Sequence, residues 1–194
     1  MASFEAIFQS DNRARDKFLS RYFGLLSEDL VRQWCRRTEA VYEDLGRPTL
    51  YAPGEQRGST LDFTLRHRAT GKTFVAELKC ELEYENYRYL RLSEPGQLGH
   101  HTSTAFKKLL TVASHPHALE SRVAAKPIHV DGAILIWGAT TPQGREAVMH
   151  DHGFADVLSV EEMLVDLHRW GDSHWQQRVA EVRVWTEHLL THLS

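Results

Sequence analysis

The sequence predicts a single α/β domain, a mixed central sheet flanked by helices, and three observations carry that prediction. Segments 59–67 and 73–84 alternate apolar and polar residues as half-buried strands do, around the turn sequence Arg68-Ala69-Thr70-Gly71. Residues 128–137 are almost continuously apolar, which suits a strand covered on both faces in a partly parallel sheet. Between and around these segments, apolar residues recur at helical spacing. A chain of 194 residues, 42% hydrophobic and 25% charged, matches the span of about 100 to 200 residues that one core usually serves. The domain is therefore expected to cover residues 1–194, with a helical lead-in over about 1–27 and helices over about 142–193.

In chain order, Ser10 is the expected cap of a short helix running to about Phe23. Ser27, with Glu28 and Asp29 in the first turn, opens a second helix with an apolar stripe of Leu30, Val31, Trp34, Cys35, Val41, Tyr42 and Leu45. Gly46 and Pro48 end it. A short strand is expected at 49–53, followed by the hairpin. Residues 97–114 then show helical spacing, with Leu98, Ala105, Phe106, Leu109 and Ala113 on one face, and form the crossover to the strand at 128–137. Thr141-Pro142 starts a helix that Gly153 stops, and 155–158 is a short strand. Ser159 with Glu162, and Ser173 with Gln176, have capping-box spacing for two final helices. The last carries a stripe of Trp175, Val179, Val182, Leu189 and Leu193, with core packing its expected use and a contact surface the alternative.

Composition narrows the function classes. No apolar run approaches the roughly 20 residues of a membrane-spanning helix, and the first residues lack a signal-peptide core, so a cytoplasmic protein is expected. Cys35 and Cys80 form no CxxC pair, which argues against a disulfide scaffold or a cysteine-rich zinc module. Of the twelve histidines, the six in the groups HH (100–101), HPH (115–117) and HDH (150–152) show no recognised ligand spacing. A formal net charge of −3 argues against coating nucleic acid by bulk attraction, so any such partner requires a localised groove. The slight basic surplus lies at 1–110, with 17 basic against 15 acidic side chains.

The hairpin carries the chemistry. In its second strand Phe74, Ala76 and Leu78 point one way, and Val75, Glu77 and Lys79 the other. A four-residue loop at 68–71 places Asp62 opposite Glu77, whereas a three-residue loop would put Asp62 on the apolar face. Two carboxylates directly across a strand pair repel unless a cation lies between them, and a Cβ separation of about 5 Å leaves room for a hard ion such as Mg²⁺. Lys79 would project its ammonium about 7 Å further along the strand, where it can orient or activate the attacking water. A solvated sheet face with a cross-strand ion pair is the competing reading.

Asp62, then Glu77-Leu78-Lys79 on a hairpin between a helix and a crossover helix, resembles the restriction-endonuclease-like superfamily of metal-dependent nucleases, known by its Pro-Asp…Asp/Glu-x-Lys motif. The resemblance spans about residues 28–137, with Leu61 where many members have proline. It implies an α-β-β-β-α-β core and a Mg²⁺-dependent nuclease, Mn²⁺ able to substitute, hydrolysing nucleic-acid phosphodiesters, DNA above all. By carry-over, Asp62 and Glu77 bind the metal and Lys79 assists the attacking water. Some members add a glutamate from the first helix, which makes Glu39 the candidate third ligand, with a surface salt bridge as its competing role.

Gln97, His101 and Lys108 on the polar flank of the following helix, and Arg88 within the cluster of Tyr84, Tyr87 and Tyr89, are the candidate nucleic-acid contacts. Glu81 and Glu83 extend the acidic face without an assigned role. Trp34, Trp137 and Trp175 are expected in the core. Cutting both strands of a duplex takes two sites or two visits, so a homodimer or a partner subunit is expected. A non-catalytic module of the same fold, binding nucleic acid or a protein, is the alternative function.

Overall fold

The structure, a computed structural model, describes residues 4–80 and 90–193. A turn of 3-10 helix at Glu5–Ile7 leads into α1 (Arg13–Arg36), capped by the Asn12 side chain, which accepts from the Arg15 N–H. Ser10 instead donates to the buried Asp16 carboxylate. The two expected N-terminal helices are one: Ser27 does not cap, because its hydroxyl bonds back to the Gly24 carbonyl. The helix also ends earlier than residue 45. Arg37 turns to extended backbone, and Tyr42–Asp44 form β1, whose pairing with β4 gives them the backbone partners that a longer helix would have supplied.

The strands β2 (Pro48–Tyr51), β3 (Ser59–Thr60), β4 (Phe63–His67) and β5 (Thr73–Lys79) follow. The strand expected over 59–67 is thus interrupted at Leu61-Asp62, and the one expected over 73–84 ends at Lys79 within the described residues. The hairpin register is as expected: Phe63 faces Ala76 and Arg66 faces Thr73, with Gly71 in the left-handed region at φ 71°. Beyond residues 81–89, which hold Glu81, Glu83, Tyr84, Tyr87, Arg88 and Tyr89 and lie outside the described residues, comes β6 (Arg91–Leu92).

The helix expected over 97–114 is a 3-10 segment, Pro95–His100, and α2 (Thr104–Ser114), capped by Ser103. A hairpin that the sequence pattern did not announce comes next, β7 (Glu120–Val123) and β8 (Lys126–Ile128). Ile128 belongs to β8, so the buried strand β9 is Gly132–Trp137. Then come β10 (Ala139–Thr140), α3 (Pro142–His152), β11 (Asp156–Ser159), α4 (Val160–Arg169) and α5 (Ser173–Leu193). Ser159 caps α4 as expected, whereas Asp172 rather than Ser173 caps α5, accepting from the Trp175 N–H at 2.6 Å.

The central sheet is five-stranded in the order β1-β4-β5-β9-β11. Its first three strands are antiparallel neighbours, and β5, β9 and β11 run parallel, so the sheet is mixed. The chain passes from β5 to β9 by way of α2. One face packs Val75, Ala133, Leu135 and Trp137 against Phe106, Leu109 and Val112 of α2 and Val148 of α3. The other packs Phe63, Leu65, Ile134 and Ile136 against Leu30, Val31 and Trp34 of α1 and Val160, Met163 and Leu167 of α4. Helices therefore cover both faces, as the length of the β9 apolar run requires. The strand expected at 49–53 is a member not of this sheet but of a second one, β3-β2-β7-β8. Trp34 and Trp137 are buried and Trp175 packs at the core margin, as expected. Beyond Trp175 the stripe on α5 does not enter the core: no described residue of that helix is fully buried. Among the described residues no helix is long and apolar enough to cross a membrane.

The β7–β8 turn places Ala124 and Ala125 at φ 47° and 64°. Val123 pairs with Lys126, so these two alanines form a two-residue loop in the conformation that Asn-Gly adopts with less strain. Replacing Ala124-Ala125 by Asn-Gly is expected to stabilise the chain by about 1 kcal/mol, read as a higher urea midpoint with an unchanged slope.

Candidate active site

The C-terminal half of β5 presents Glu77 and Lys79 on the α2 face, because Val75 packs there and side chains alternate. Glu77 and Lys79 pair in parallel register with Leu135 and Trp137 of β9, and that neighbour removes Glu77 from solvent, leaving it 6% exposed. Asp62 lies one residue before β4, just beyond the last ladder pair, Phe63 with Ala76, so the expected pairing of Asp62 with Glu77 is not part of the ladder. The backbone leaves the ladder there, and the Asp62 carboxylate takes its place: Oδ2 accepts from the Leu78 N–H at 3.0 Å. Its other oxygen faces the Arg47 guanidinium at 3.4 Å. The sequence offered no sign of Arg47, which reaches the site because the turn after β1 leads the chain back along the start of β4.

The Lys79 ammonium donates to Glu77 Oε1 at 2.7 Å. The second oxygen, Oε2, is buried and has no hydrogen-bond partner among the described residues. Burial pushes the Glu77 carboxyl above its ordinary range, the Lys79 hydrogen bond and charge pull it part of the way back, the negative charge of Asp62 adds to the rise, and the nearby Asp62 backbone N–H offsets a little of it. The three residues singled out by spacing thus lie close together, Lys79 on Glu77 and Asp62 on the Leu78 N–H, and Oε2 of Glu77 has no hydrogen-bond partner among the described residues.

His101 borders this group. Its ring packs on Phe106 and Trp137, at centroid distances of 4.8 and 5.7 Å. Its pKa falls to about 4, first through burial and then through the charges of His100 and Lys79. A histidine depressed in the folded state contributes stability that is complete above its unfolded value near 6.5 and is lost as pH falls toward 4. Acidification from about pH 6.5 to 4 is therefore expected to destabilise the chain through this residue. Chemical denaturation of His101→Gln across that window should show a correspondingly flatter profile.

The remaining candidates lie elsewhere. Glu39 is in the turn between α1 and β1, at the end of β4 remote from Asp62, and it is held by Arg37 at 2.7 Å and Thr38 at 3.1 Å. The Arg37 hydrogen bond holds its pKa at about 2, so Glu39 takes the surface salt-bridge role and not that of a third ligand. Gln97 is buried and its amide is consumed by folding: Oε1 accepts from the Ser93 and Glu94 N–H groups, and Nε2 donates to the Arg91 carbonyl. Lys108 points into the protein and not at a phosphate path, donating to the Leu50 carbonyl at 3.0 Å and pairing with Glu55. Arg88 lies outside the described residues.

Among the described residues no group of three or more His, Cys, Asp or Glu side chains is arranged to hold a metal ion. The candidate ligands are a pair. No protein-family model, curated protein or solved structure matches the chain.

Proposed function

We propose that the chain is a Mg²⁺-dependent nuclease of restriction-endonuclease-like fold, hydrolysing phosphodiester bonds of nucleic acid, DNA above all. The observation that carries this reading is Glu77 Oε2, a buried carboxylate oxygen without a partner beside a second carboxylate and a lysine. An uncompensated buried oxygen costs about 1 to 3 kcal/mol or more, which folding alone gives no reason to retain. A hard cation at that oxygen would remove the cost. Mg²⁺ commonly takes one or two protein carboxylates and completes its shell with water and substrate phosphate, so a pair of ligands fits it. The order α1, β1, β4, β5, α2, β9 supports the fold assignment, since it places the pair on a strand hairpin ahead of a crossover helix.

In this reading Glu77 and Asp62 would hold the ion, which when bound would supply positive charge at the scissile phosphate and lower the pKa of the attacking water. Lys79 is the group that donates to that water and to the negative charge that grows as the bond breaks. Arg47, 55% exposed beside Asp62, is placed to contact a backbone phosphate entering from the sheet edge. A formal net charge of −3 means that phosphate contacts must be local to this edge.

One observation favours the non-catalytic reading: Asp62 already has a hydrogen-bond donor at one oxygen and a cation near the other, so it also serves as a structural peg. Calorimetric titration with Mg²⁺ or Mn²⁺, run beside a plasmid-nicking assay, separates the two. The nuclease reading expects saturable binding that Asp62→Ala abolishes, together with ion-dependent cutting. Wild-type protein that binds no better than that variant and cuts no nucleic acid leaves the module reading in place.

A further inference from the structure

We propose that the groove between α1 and α5 is the interface with a second copy of this chain, the two α5 helices lying antiparallel about a two-fold axis near residue 185. The two helices run antiparallel within one chain, since Arg178 pairs with Asp29 and Thr186 bonds Tyr22. Between them lies a groove of about 720 Å³, lined by Phe18, Tyr22, Leu26, Val179 and Leu190 among others. Its apolar walls are open, with Phe18 56%, Leu190 55% and Val179 44% exposed. A 21-residue helix that buries none of its described side chains is not accounted for by the core of its own chain.

The charges say what covers the groove. Val179, Arg183, Glu187 and Leu190 all line it, and they follow one another by four, four and three positions, a single stripe along α5. Neither Arg183 nor Glu187 belongs to an ion pair that the described residues form. A two-fold axis crossing the stripe near residue 185 sets Val179 against Leu190 of the partner and Arg183 against Glu187 of the partner, and repeats both contacts by symmetry. Parallel packing would instead set Arg183 against Arg183. The stripe is thus complementary to itself in one orientation, a property that a face built for an unrelated partner has no need to possess. The proposal does not depend on the nuclease reading.

Sedimentation velocity and light scattering of the full chain, from low to high micromolar concentration, should report a species of twice the 22.3 kDa chain mass. Arg183→Glu and Glu187→Arg each place two like-charge pairs in the interface and are expected to weaken association roughly tenfold. The double reversal restores opposite charges and should recover it. Leu190→Glu removes an apolar contact twice and should weaken association about a hundredfold. All three positions lie on the outer side of a surface helix, and circular dichroism checks that each variant folds. A wild-type monomer at high micromolar concentration overturns the proposal, as does a dimer indifferent to Leu190→Glu or a double reversal no tighter than its parents.

Discussion

If the chain is the proposed nuclease, Glu77→Gln is expected to lower ion-dependent cleavage by about a thousandfold or more while leaving the ion-free chain as stable as the wild type, or slightly more stable. Burial raises the Glu77 carboxyl above its unfolded value. A raised carboxyl favours folding when protonated and disfavours it when ionised, so stability is lost as pH climbs from the unfolded pKa through the folded one, and the ionised form is a burden. Glutamine keeps the shape and removes that burden. The loss of the Lys79 pair offsets part of the gain, but the lysine side chain is 22% exposed and can turn toward water, so the net change should stay within about 1 kcal/mol.

Divalent ion should raise the melting temperature of the wild type and leave that of Glu77→Gln unmoved, a readout independent of turnover. Lys79→Ala should behave differently, keeping the ion-dependent shift while turnover falls by orders of magnitude. Asp62→Ala should lose the shift and also about 1 kcal/mol of stability, because the Leu78 N–H loses its acceptor. A Glu77→Gln protein that cuts like the wild type removes the metal assignment.

Asp172→Ala should destabilise the fold by about 3 to 5 kcal/mol, a large share of what a domain of this size possesses. The Asp172 side chain is fully buried and ties α1 to α5 through three partners: Gln33 Nε2 at 3.1 and 3.2 Å, Arg37 at 3.3 Å, and the Trp175 N–H at 2.6 Å. Removing it leaves the buried Gln33 amide without its acceptor, leaves Arg37 only its Glu39 partner, and uncaps α5. Asp172→Asn keeps an acceptor for α5 and should cost less. Urea unfolding at neutral pH measures both, and a loss below about 1 kcal/mol for the alanine variant contradicts the hub role.

The central hairpin was legible because alternation and a glycine-containing turn specify the same register, and Asp62, Glu77 and Lys79 followed from it. What the pattern concealed has separate physical causes. Val41, Tyr42 and Leu45 continue the helical spacing of α1, and only pairing with β4 makes them a strand. The β7–β8 hairpin turns at two alanines, which carry none of the usual turn chemistry. Gln97 and Lys108 look like phosphate contacts on the polar flank of one helix, because polar residues at helical spacing give no sign of whether a ligand, water or a buried carbonyl receives them. Arg47 joins the site only through the path of the chain after β1, a tertiary fact with no local signature. The unpartnered Glu77 oxygen likewise follows from the cover that β9 provides, not from the hairpin itself.

The parallel pairing of β5 with β9 also sets a timetable for assembly. Phe74 pairs with Gly132 and Lys79 with Trp137, residues 58 positions apart in the chain. At a synthesis rate of about 5 to 20 residues per second, roughly 3 to 12 seconds separate the emergence of β5 from that of its partner. Throughout that interval the strand bearing Glu77 and Lys79 has one open edge and wet carboxylates, in a chain whose slowest contacts are the distant ones. The buried oxygen comes into being only when β9 docks, so a nascent chain carries the candidate ligands before it carries the site.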